Sequence, residues 1–163
     1  MALNPGRVVA HLRELQALTG DAAGAQRVAW TDTWNTARVW LIGLLDGVPL
    51  ERERDEAGND WWTLRGDSER AVLIGGQIDS VPNGGWLDGA LGVIYALEVA
   101  RALAADKATA NLPVDVVSFQ DEESRFVGCL GSRSLIGALT PDIEEGAADK
   151  DGVRMEDAVR AAG

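Results

Sequence analysis

The chain has 163 residues, 46% of them hydrophobic, and a formal net charge of −11, which suits one domain with a real core. That charge excludes binding to a nucleic-acid backbone, because no basic patch could offset the field, and no apolar run approaches the ~18 residues of a membrane span. A single cysteine, Cys129, excludes an internal disulfide framework, and charges scattered through the N-terminal segment exclude a signal peptide, so a cytoplasmic location is expected.

In chain order, NPGRVVAHLRELQAL reads as a helix with Val8, Leu12, Leu15 and Leu18 on one stripe. TDTWNTARVWLIGLLDG is a second helix, with Ala37, Trp40, Leu41, Leu44 and Leu45 at helical spacing, Thr31 or Thr33 as cap and Gly47 past its end. VPLERERDEAGNDWWTLRG is a hairpin turning at Ala57-Gly58-Asn59. Trp61 and Trp62 then point to opposite faces, so one of them is available for a subunit contact. AVLIGGQID reads as a buried strand, and a helix over 88–105 follows with Val93, Ala96, Leu97, Ala100 and Ala104 facing one way. LPVDVVSFQ is the next strand and LGSRSLIGAL another helix. The strand–helix–strand order predicts an α/β fold: a parallel or mixed sheet with helices on both faces.

In such sheets ligands sit at the carboxyl ends of the strands. One strand end carries Gln77 and Asp79, the next Asp121, Glu122 and Glu123, and the loop between them Asp88. Taken singly, Asp88 reads as a helix cap and Asp121 as a strand-end turn residue. Together, like charges converging at neighbouring strand ends call for a cation or a shared proton. Glycines 75, 76, 84 and 85 clear space around them, and Trp86 is expected at the mouth. Carboxylates around a divalent cation with one spare glutamate as base are the constellation of metal-assisted hydrolysis.

The segments IGGQIDSVPNGGWLDGALGVIYALEVARAL and VDVVSFQDEESRFVGCLGSRSLIG, with TDTWNTARVWL and DEAGNDWW upstream, resemble the M20 metallopeptidase-like amidohydrolases. The branch is that of N-carbamoyl-L-amino-acid hydrolases (hydantoinase/carbamoylase) and allantoate amidohydrolase. Over residues 1–163 the resemblance implies the N-terminal portion of the catalytic domain, without the lid/dimerisation domain. It implies Glu122 as general base, Asp79 as an orienting catalytic residue, and Asp88 and Glu123 as ligands of one or two divalent cations, zinc or manganese. Gln77 stands where the family has a ligand histidine, and as a weak neutral ligand it compromises one cation position. His11, the only histidine, lies on the first helix, away from the acids. Arg125 and Arg133 are expected to pair with acids of their own loop.

Family members are more than twice this length, and their remaining ligands lie in segments this sequence does not contain. Three readings stay open. The leading one is a subunit of a split amidohydrolase that hydrolyses a C–N bond (amide, ureido or cyclic amide) of a small molecule, a second polypeptide completing sheet, site and lid. The others are a non-catalytic, pseudoenzyme-like binding subunit and a fragment of a longer chain.

Overall fold

The computed structural model describes residues 3–106 and 112–163. Twelve elements follow in order: α1 (Pro5–Thr19), β1 (Gly20–Asp21), β2 (Gly24–Ala25), α2 (Asp32–Gly43), β3 (Glu51–Arg54), β4 (Asp60–Leu64), β5 (Val72–Gln77), α3 (Ala90–Ala104), β6 (Val114–Phe119), α4 (Leu130–Leu135), α5 (Pro141–Gly146) and α6 (Met155–Ala162). The main sheet runs β3-β4-β6-β5, antiparallel except for the parallel pair β5–β6. The fold is therefore mixed α/β, as expected.

The four predicted helices, α1 to α4, form where the pattern placed them. Asn4 caps α1 by accepting from the Arg7 N–H, with Pro5 at its first turn. Thr31, one of the two expected caps, serves α2 through the Trp34 N–H. Val8, Leu12 and Leu15 are buried, whereas Leu18, placed on the same stripe, is exposed where α1 ends one residue later, just before β1. The predicted helix over LGSRSLIGAL is shorter: α4 stops at Leu135, and Gly137 follows with φ +69°. The strands β1 and β2 and the helices α5 and α6 carry no prediction.

The core lies between the sheet and α1, α2 and α3. Register aligns Trp62, Val116 and Ile74 across β4, β6 and β5, and α3 packs on that face against β5 and β6. Trp62 is buried and Trp61 half-buried, so the pair does split between faces, with Trp61 Nε1 donating to Asp55 Oδ2. Two buried carboxylates tie the helices down: Glu98 takes both arms of Arg7, and Asp60 both arms of Arg38.

One expectation fails. AVLIGGQID is not a buried strand: β5 is a sheet edge, with Val72 63% and Leu73 47% exposed. A run of apolar residues specifies that both faces suit burial; it does not specify a neighbour on each side. Contact with α3 is still intimate, since a Cβ on Gly92 would lie 2.8 Å from the Gly75 carbonyl oxygen.

Candidate active site

The parallel pair β5–β6 ends with Gln77 opposite Phe119, so the segments after both strands emerge side by side. This places Gln77 and Asp79 next to residues 121–123. Gln77 Nε2 donates to Glu122 Oε2 at 3.2 Å, and Cys129 Sγ donates to Glu122 Oε1 at 3.7 Å. Glu122 is thus held from both sides. Room for the Gln77 side chain comes from Gly89, whose Cβ would lie 2.3 Å from Gln77 Cδ and whose φ is +61°.

Asp79 is 1% exposed; its Oδ2 accepts from the Glu123 backbone N–H at 3.0 Å, and its Oδ1 has no partner among the described residues. Burial, with a contribution from the Asp121 charge and against the Glu123 hydrogen bond, pushes its carboxyl up to about 7. Glu123 is raised as well, first by burial and then by the charges of Asp88 and Glu122. Those two effects place Asp88, Glu122 and Glu123 in one electrostatic neighbourhood.

Other residues fall differently from expectation. Asp88 does not cap α3: the cap position is Gly89, without a side-chain hydrogen bond. Asp121 accepts from the N–H groups of Arg125, Phe126 and Val127 and is fully buried, so its role is to close the loop after β6. Arg125 pairs with Asp149, from a different loop, and donates to the Ala29 carbonyl; Arg133 donates to the Ala138 carbonyl. Trp86 shares a shallow pocket with Arg13 and Gln16 of α1. His11 sits between α1 and α2, edge-on to Trp40 at 6.0 Å.

A cavity of about 560 Å³ opens beside the acids, lined among others by Asp79, Glu123, Arg125 and Lys150. Sequence reasoning read Cys129 only for its redox meaning and passed over Arg27. Cys129 lies within the quoted motif; Arg27 meets Ile78 across 51 positions, which no local pattern reveals.

As a cation site the donor set fits in part. Asp88 and Glu123 are paired hard oxygens whose mutual repulsion a cation would relieve. Yet among the described residues no three His, Cys, Asp or Glu side chains form a ligand cluster, and zinc wants four donors.

Comparison with known proteins agrees with the motifs. The model of peptidase family M28 matches residues 61–150. N-carbamoyl-L-amino-acid amidohydrolase of Paenarthrobacter aurescens is 31% identical over 161 residues, covering 96% of this chain and 39% of that protein. Allantoate amidohydrolase of Escherichia coli (strain K12) is 32% identical over 146 residues, covering 87% and 36%. A hydantoinase/carbamoylase family amidase from Burkholderia phymatum superposes with a TM-score of 0.91 at 38% identity, covering 99% of this chain and 40% of that one. The chain spans about two fifths of the length of these relatives.

Proposed function

The chain belongs to peptidase family M28, on the M20-like side shared with the carbamoyl-amino-acid and allantoate amidohydrolases, and from that membership we propose that it forms part of a metal-dependent amidohydrolase cleaving a C–N bond of a small molecule. The observation that carries this reading is the convergence of Gln77, Asp79, Glu122 and Glu123 at the carboxyl ends of β5 and β6. The adjoining cavity has small-molecule size.

In this reading Asp88 and Glu123 hold a divalent cation, zinc or manganese, with further ligands from outside these residues. When bound, the cation supplies Lewis-acid polarisation of the scissile carbonyl. Glu122 takes a proton from the attacking water as the oxygen adds to the carbonyl carbon. It returns that proton to the nitrogen as the C–N bond breaks. Gln77 Nε2 and the Cys129 thiol fix the direction of the Glu122 carboxylate, and Asp79 fixes Glu123 through its backbone N–H.

The remaining three fifths of the fold, sheet neighbour and lid included, would come from a second polypeptide, and the exposed edge of β5 favours such a completion. A cytoplasmic setting suits the lone cysteine; among the described residues no helix is long and apolar enough to cross a membrane.

A non-catalytic binding subunit is the second reading, and one observation favours it: Gln77 replaces the family's histidine and gives its amide to Glu122. Elemental analysis of the purified complex with the completing polypeptide, and its assay on N-carbamoyl amino acids and allantoate, separate the two. The enzyme reading expects a stoichiometric cation, and Glu122→Gln should lower turnover by about 10²–10⁴-fold with the cation retained. Absence of cation in the wild-type complex would remove the hydrolase reading and favour the binding subunit.

A further inference from the structure

Arg27 is 0% exposed, and it grips the segment that carries Asp79 from both sides. Its Nε donates to the Ile78 carbonyl at 2.7 Å, its backbone N–H donates to Ser80 Oγ at 3.0 Å, and its carbonyl accepts from the Ser80 N–H at 2.9 Å. Nη1 reaches Thr19 Oγ1 at 3.5 Å, at the end of α1, and Nη2 has no partner among the described residues. Arg7 and Arg38 are different: each lays both arms on a buried carboxylate. A neutral donor could hold the Ile78 oxygen, so a full positive charge kept out of water needs another reason. Burial pushes the guanidinium's pKa down, and the Asp79 carboxylate works against that.

We propose that Arg27 is a positioning residue for the active site: it clamps Ile78 and Ser80 so that Asp79 Oδ2 meets the Glu123 N–H and sets the place of the Glu123 carboxylate. The chain of contacts runs from α1 through Arg27 and Asp79 to the end of β6. Its link to catalysis rests on the proposed amidohydrolase reading, but the geometry of the clamp does not.

Hydrogen exchange read at single amides of the full protein tests it without any cation. Arg27→Met should speed exchange of the Glu123 amide by about tenfold or more while the Val116 amide, in the middle of β6, keeps its rate. Arg27→Lys, which keeps the charge and one donor, should restore most of that protection. In an Asp79→Ala background the Arg27 substitution should add nothing at Glu123. Equal acceleration at Glu123 and Val116, or no change at Glu123, in Arg27→Met, or in Arg27→Gln should the Met variant not fold, would show that Arg27 merely holds the fold. A cobalt titration of the same variants should show weakened binding where Glu123 is loosened. A wild type that binds no cobalt would count against the hydrolase reading and leave the exchange result to decide the clamp.

Discussion

Gln77 Nε2 lies 3.2 Å from Glu122 Oε2, so the residue in the family's histidine position is bound to the candidate base. Replacing it by an imidazole frees that amide contact and adds a nitrogen ligand. The ring would take the space above Gly89 that the Gln77 side chain now fills. Gln77→His should therefore raise divalent-cation affinity by about tenfold or more. Calorimetric titration with zinc and manganese checks it; unchanged affinity would mean the second cation position has been lost altogether.

The two glutamates should separate by experiment. On the proposed roles, Glu123→Gln should weaken cation binding by removing a charged ligand, whereas Glu122→Gln should leave the cation bound and lose turnover. Metal content measured beside kcat tells them apart. Loss of metal from the Glu122 variant alone would reverse the two assignments.

Asp79 makes stability depend on pH in a stated direction. Its carboxyl sits at about 7 in the folded chain against an ordinary 3.8, so the folded state holds the proton more tightly than the unfolded state. Between those values unfolding releases a proton, and stability falls as pH rises from about 4 to about 7. The loss is on the order of 4 kcal/mol at its fullest. Asp79→Asn carries no such titration. In chelator, urea unfolding should show the Asn variant gaining on the wild type as pH rises through that window; a pH-independent difference would refute the assignment.

Gly92→Ala should destabilise the fold by about 1–3 kcal/mol, because its Cβ would enter the space of the Gly75 carbonyl at 2.8 Å and push α3 off β5. Thermal unfolding measures it. Gly43→Ala, where a Cβ would meet nothing within 4 Å, is the matched control and should not destabilise.

The 163-residue chain expressed by itself should self-associate through the edge of β5. A charge at a position 47% exposed, Leu73→Lys, should shift it toward monomer in size-exclusion chromatography without changing its circular dichroism. Expressed with a polypeptide carrying the rest of the fold, the unmodified chain should co-purify one-to-one. A monodisperse, active monomer of the unmodified chain would overturn the need for completion.

The sequence by itself determined the helices, the hairpin and the strand–helix–strand order, because the signals are local. Thr31 caps its own helix, Gly58 turns its own hairpin with φ +86°, and Val93, Ala96, Leu97 and Ala100 fall on one face whatever lies beneath. The apolar spacing of Met155, Ala158 and Ala162 also carried α6, which the motif-led reading passed over. Gln77, Asp79, Glu122 and Glu123 could be placed together because strand ends in a parallel pair emerge side by side. Tertiary structure alone decided which of these groups are free. Three backbone N–H groups engage Asp121, while Asp79 keeps one oxygen unpaired. Arg125 finds Asp149 across 24 positions, and Arg27 finds Ile78 across 51. Only the assembled sheet shows that β5 is an edge. Periodicity records which side of an element wants burial; what covers that side, and which donor reaches which carboxylate, depends on chain brought close from far away.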